Sequence, residues 1–257
     1  MSDSSELISE SISAAFCGAL STLSNDVAFV ALSSAVQPVL AKMIKVPLDI
    51  VVRYKDFWSS REKRRFVSAS NSMLKILNDN SSKVGAIKND LFLDQNQMEH
   101  EGLDSAVEAI FQNIISDSET KKSKLYGNFL GNIPYQVGLD SSMILHINRL
   151  VRNLTYEQLC VLKWVQSHGK IQGEKLKVNY SSEALAAVLF YELKDLKQTG
   201  LLSPVTPFAV GAEVDNVELS VIGKTIYELL DLESVDDDMI SRFDKYDVSY
   251  TGKVGLM

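Results

Sequence analysis

The stretch LTYEQLCVLKWVQSHG (residues 154–169) decides how the rest of the chain is read. Thr155 and Gln158 have capping-box spacing, in which the first side chain takes the backbone N–H three residues on and the second reaches back. Leu154 and Leu159 stand where a hydrophobic staple closes such a cap, and Gly169 suits the left-handed turn on which helices commonly end. A helix is therefore predicted from Thr155 to His168, with Leu159, Leu162 and Val165 inward.

Working downstream, the short IQGEKLKVNY (171–180) leads into a second predicted helix from Ser182 to Thr199. Leu185, Val188, Leu189, Leu193 and Leu196 form its inward stripe, and Gly200 stops it. Next come LLSPV, the turn-rich SPVTPFAVGAEVDN, the β-like VELS and a final helix from Val221 to Leu232. This order of helix, helix, strand, wing, strand and helix over residues 155–232 resembles a winged helix-turn-helix domain. The likeness rests on Leu193, Leu196, Gly200, Leu201 and Leu202 leading into the wing, and on Leu219, Ser220 and Gly223 leading out.

Winged-helix domains often lay the second helix of the pair in the DNA major groove, which requires Arg, Lys, Asn or Gln on its outer face. The outward candidates here are Glu183, Ala187, Tyr191, Glu192, Lys194, Asp195, Lys197 and Gln198, with no Arg among them. The wing holds Glu213, Asp215 and Glu218 and no base, so it repels phosphate. A module that contacts protein, or one that merely packs on the helical half of the chain, is the better expectation.

Upstream of Leu154, hydrophobic spacing marks helices at Leu103–Ile115 (Leu103, Val107, Ile110, Phe111, Ile114, Ile115) and in ETKKSKLYGNFLGNI (119–133). Asp140 caps a further one carrying Ile144, Ile147, Leu150 and Val151. With LTYEQLCVLKWV, this succession is similar to uncharacterised bacterial helical proteins of the phage-defence or abortive-infection type. The shared positions are Lys122, Leu125, Tyr126, Asn128, Leu150, Leu154, Thr155 and Leu162; the resemblance implies a host-protective or toxic effector.

The N-terminal third opens with two low-charge amphipathic helices. The first places Ile8, Ile12, Phe16, Leu20 and Leu23 on one face; the second, capped by Asn25 or Asp26 and kinked at Pro38, carries Phe29, Leu32, Val36, Leu40 and Met43. Their uncharged stretches, 11–25 and 27–41, are 15 residues each, short of the ~20 that a spanning helix needs. After Pro47 a third helical segment, interrupted at Ser59 and Ser60, carries RYKDFWSSREKRR (53–65). There Tyr54, Phe57 and Trp58 are interleaved with Arg53, Lys55, Arg61, Lys63, Arg64 and Arg65. Aromatic rings among bases suit an anionic membrane interface and also nucleic acid, while Ser- and Ala-rich helices suit self-association. Those nine residues are the candidate contact set. The segment NDNSSKVGAIKNDLFLDQNQ (78–97) lacks helical spacing and reads as a hinge.

Charge is unevenly spread. Residues 42–65 hold eight bases against three acids, a local +5, and residues 213–257 hold eleven acids against four bases, a local −7, within an overall −7. The two ends thus favour head-to-tail association or attraction of the N-terminal part to an anionic surface. Cys17 and Cys160 lie 143 positions apart in apolar stretches, as small buried residues would in a reducing cytoplasm, and no secretory leader is evident.

No catalytic, cofactor or metal motif is present. His100, His146 and His168 fall on different elements, and HExxH, CxxC, GxGxxG, GxxxxGK[ST] and GxSxG are all missing. Asp247, Ser249, Thr251 and Gly252 imitate the first half of a calcium loop, but the chain stops one residue before the bidentate Glu.

The expected fold is mainly α: a helical N-terminal region (1–90), a central helical region (97–153), a winged-helix-like domain (154–232) and an acidic C-terminal tail (233–257). The expected function is that of a non-enzymatic, oligomeric interaction or effector protein without cofactors, cytoplasmic or peripheral on the inner membrane. Its expected partners are protein, itself included, or an anionic membrane surface, with membrane action in antiphage defence as the effector mechanism. The alternative is a DNA-associated winged-helix regulator, with nucleic acid ranked below the other partners.

Overall fold

The computed structural model describes residues 50, 57–80, 97–136, 138–171, 184–204 and 216–244. Among them the protein is mainly helical, with eight α-helices and one two-stranded sheet. The chain divides into two compact units, Met1–Asn153 and Leu154–Met257.

In the first unit, α1 (Ser60–Asp79) begins where the sequence reading places an interruption. The Glu62 N–H donates to Ser59 Oγ at 3.3 Å, and the Ser59 N–H donates to the Glu62 carboxylate at 2.6 Å, so the helix start is reciprocally capped. These two bonds hold the Glu62 carboxyl below the usual carboxylate range. Phe66, Ala69, Met73 and Leu77, at three- and four-residue spacing, are all buried. They face mainly α3 (Lys122–Asn132), and the approach is very close. A Cβ at Gly127 would lie 2.1 Å from the Ala69 carbonyl oxygen, and one at Gly131 would lie 2.7 Å from Ile76 Cβ. Both positions must be glycine for the two backbones to meet.

The remaining pair is α2 (Gln97–Ser116) against α4 (Ser141–Asn153). Asp140 caps α4, accepting from the Met143 N–H at 2.7 Å. Each helix pair also carries one buried polar bond: Ser72 to Asn128 between α1 and α3, and Asn113 to Asn148 at 2.9 Å between α2 and α4. Such bonds, satisfied in a dry interface, are costly to lose and so fix register. After α3 a 3₁₀ turn (Ile133–Tyr135) brings the Tyr135 hydroxyl to the Leu77 carbonyl, and burial pushes that phenol up to about 12. The 78–97 segment read as a hinge lies mostly outside the described residues; α1 and α3, on either side of it, pack together within the first unit.

The second unit is built around α5 (Tyr156–His168). Its capping box is present in full, with Gln158 N–H to Thr155 Oγ1 at 3.1 Å and Thr155 N–H to Gln158 Oε1 at 3.0 Å, and Gly169 leaves it at φ 70°. Seven consecutive residues, Leu159 to Val165, are buried, because neighbours cover this helix on more than one side. These are α6 (Ala184–Gln198), β2 (Val217–Leu219), α7 (Val221–Leu229) and α8 (Asp238–Asp244). The strand β1 (Leu202–Pro204) follows the turn at Gly200, φ 78°, and pairs antiparallel with β2, Leu202 opposite Leu219. Ile171 adds a further bridge to Val217, each N–H donating to the other carbonyl at 2.9 and 3.0 Å.

Three expectations shift here. Val188 is 42% exposed and not inward, since the stripe that meets α5 runs through Ala186, Leu189, Phe190, Leu193 and Leu196. The last predicted helix ends at Leu229 and not Leu232, because Asp231 takes the left-handed conformation, φ 49°, that a short polar side chain tolerates. The acidic tail contains α8, whose Ile240 and Phe243 are buried.

Candidate functional site

The basic and aromatic segment splits into parts with different fates. Arg53, Tyr54 and Lys55 lie outside the described residues. Phe57 is 84% exposed, whereas Trp58 is half-buried with its ring 5.2 Å from that of Phe66, which in turn lies 5.4 Å from Phe111. Lys63 and Arg65 are buried, and Arg61 and Arg64 are exposed.

Arg61 and Arg65, four residues apart on one face of α1, both reach the end of α2. Arg65 Nη1 donates to the Ile115 carbonyl at 2.5 Å and Arg61 Nη2 donates to the Ser118 carbonyl. Those carbonyls belong to the last turn of α2 and the loop beyond it, where helix carbonyls lack intrahelical partners and the macrodipole favours cations. Burial, and then the like charge of Arg61, lowers the Arg65 pKa, with Asp117 acting in the opposite direction. Two of the nine candidate contact residues therefore also serve as internal caps. Sequence carries no signal for this, because the carbonyls come from about 50 positions away.

Beside those caps lies a cluster built on Lys122 and Tyr126, positions that the sequence reading named only for a family resemblance, together with Asp117, which it did not name. Lys122, 1% exposed, pairs with Asp117 Oδ2 at 2.8 Å and donates to the Arg152 carbonyl at 3.3 Å. The Tyr126 hydroxyl donates to the same Asp117 oxygen at 3.3 Å, and its ring sits 5.6 Å from Lys122 Nζ. Burial, reinforced by Asp117, drives the Tyr126 phenol far above its ordinary value, so it stays protonated and acts only as a donor.

In the second unit Asp237, in the exposed acidic run Asp236–Asp238, takes part in docking α8 on α5. Lys163 Nζ, itself buried, donates to the carbonyls of Glu233 (2.9 Å) and Val235 (2.7 Å) and to Asp237 Oδ1 (2.6 Å). Trp164 Nε1 donates to Asp244 Oδ1 at 3.1 Å, and Arg242 reaches Glu157 at 2.7 Å. His168 stacks on Trp164 with centroids 4.9 Å apart. Cys160 is buried on the same helix.

The outward face of α6 is different. Ala184, Val188, Tyr191, Asp195 and Gln198 are all exposed and follow one another at three- and four-residue intervals. Val188 and Tyr191, 42% and 57% exposed, form an apolar pair in its middle. Glu192 alongside has one oxygen buried without a partner, and burial raises its carboxyl pKa.

Among the described residues no group of three or more His, Cys, Asp or Glu side chains is placed to hold a metal ion, and the half calcium loop at Asp247–Gly252 lies outside them. No described helix is long and apolar enough to cross a membrane. The chain matches no protein-family model, and neither a curated protein nor a solved structure shows significant similarity to it.

Proposed function

We propose that this is a non-enzymatic, self-associating interaction protein whose second unit is a winged-helix-like module that docks on protein. The order α5, Ile171 bridge, α6, β1, β2, α7 supports the winged-helix reading of that unit. The observation that carries the functional reading is the outer stripe of α6. The helix that would enter a major groove presents Val188, Tyr191 and Asp195 where a DNA reader needs bases and amides. An exposed aromatic side chain such as Tyr191 is instead the material of protein interfaces.

The test is mass in solution against concentration, by sedimentation velocity, with duplex DNA added at low salt. The wild-type chain is expected to form a discrete oligomer, and the variant Val188→Ser/Tyr191→Ser to shift toward monomer by at least about tenfold in dissociation constant. A monomeric wild type that binds duplex with a steep salt dependence would establish the regulator instead.

A further inference from the structure

Three pairs of exposed bases, each spaced three residues apart, meet at one end of the first unit. They are Arg61 and Arg64 on the first turns of α1, Lys121 and Lys124 at the start of α3, and Arg149 and Arg152 on the last turns of α4. Two bonds bring them together. Arg61 reaches the Ser118 carbonyl in the turn before α3, and Lys122 reaches the Arg152 carbonyl at the end of α4. The acids of this region offset the patch only in part. Asp117 is side-chain buried against Lys122, Glu62 is turned back onto the Ser59 N–H, and Glu119 is half-buried in the turn. Only Arg61 and Arg64 of the six belong to the basic run visible in sequence; folding adds the other four.

We infer that this end of the first unit is a peripheral docking surface for an anionic phospholipid bilayer. The bases sit at the termini of three helices and spread over a face, so none of the pairs lies along a helix free to enter a DNA groove. One turn before Arg61, Phe57 is 84% exposed, an apolar ring placed to enter the headgroup layer beside the bases. Attachment of this kind needs no spanning helix, and it uses a unit other than the one that carries the α6 face.

The experiment is co-sedimentation of the full chain with vesicles of phosphatidylcholine containing about a quarter phosphatidylglycerol, and with phosphatidylcholine alone, at low and high salt. Binding is expected to the anionic vesicles only and to be released by salt. At about fivefold per base, the variant Lys124→Gln/Arg149→Gln/Arg152→Gln should bind roughly 100-fold more weakly while its thermal unfolding stays cooperative. If that triple variant fails to fold, Lys124→Gln alone, expected about fivefold weaker, carries the test. Phe57→Ser should weaken binding by about tenfold. Absence of wild-type binding at low salt, or undiminished binding by the base variants, overturns the inference. Capture of duplex DNA but not vesicles, lost in the same variants, overturns the choice of lipid.

Discussion

Two buried lysines, Lys122 in the first unit and Lys163 in the second, are stabilised differently. Lys122, in the first unit, gives its charge to Asp117, whose side chain is only 9% exposed, and to one carbonyl. Lys163, in the second, spends two of its donors on the carbonyls of Glu233 and Val235, and its carboxylate partner Asp237 is 88% exposed. The first arrangement is a buried ion pair, in which either charge becomes an orphan if the other is removed. The second is an ammonium held by the main chain, with a solvated carboxylate as an accessory. Burial of a cation therefore does not by itself fix how far it depends on its acid.

Asp117→Ala should be the most damaging of the simple tests, because it takes the carboxylate away from a buried ammonium. A loss of about 3–5 kcal/mol is expected in urea unfolding. Following Trp58 fluorescence in a W164F background confines the reading to the first unit, since the chain has two tryptophans, one in each unit. The double variant Asp117→Ala/Lys122→Met should recover most of that loss; if it does not, the cluster contributes more than charge compensation.

Gly127→Ala comes next. The new Cβ would sit 2.1 Å from a backbone oxygen, so α1 and α3 must separate, at about 2–3 kcal/mol. A neutral outcome would mean that the two helices shift at low cost and that the close approach does not set the first unit's packing. Glu192→Gln should move the second unit the other way. Its folded pKa is raised by burial, then by Glu157 and Asp195, against a bond from Gln158. The folded state therefore keeps its proton longer than the unfolded chain, and stability falls as pH rises from the unfolded carboxylate value through the raised one. Glutamine removes that slope and should stabilise by under about 1 kcal/mol at neutral pH, since the group is partly solvated. Urea titrations of both proteins between about pH 4 and pH 7 measure it. Asp237→Ala should be the smallest effect, within about 0.5 kcal/mol in the same unfolding assay, because the carbonyls continue to hold Lys163. A loss comparable to that of Asp117→Ala would erase the distinction between the two lysines.

The helix boundaries were legible to the degree that they depend on near neighbours. Thr155 and Gln158, Gly169, Gly200 and Asp140 all act within five positions of themselves, and each terminates or starts a helix where expected. Ser59 was read as part of an interruption, and its pairing with Glu62 follows the same local logic. Gly127 and Gly131 carried a readable signal in their four-residue spacing, but what they approach lies on α1, about 50 residues earlier. The stripe of α6 was misread at Val188 because two neighbouring hydrophobic rows compete, and only the position of α5 selects one.

The candidate contact residues divide in the same way. Lys63, Arg64 and Arg65 are consecutive and chemically alike, yet Arg64 is exposed while its neighbours are buried. By itself the sequence determined that the chain is mainly helical, where several helices begin and end, and that its bases gather upstream of its acids, because these follow from spacing along one strand of polymer. Only the tertiary structure decided which bases remain in water, which cap a distant helix end and which join across three helices into one face. The physical reason is that desolvating a charge is tolerable only where acceptors arrive to meet it, and the acceptors at Ile115, Ser118, Glu233 and Val235 are brought there by the folding of remote segments.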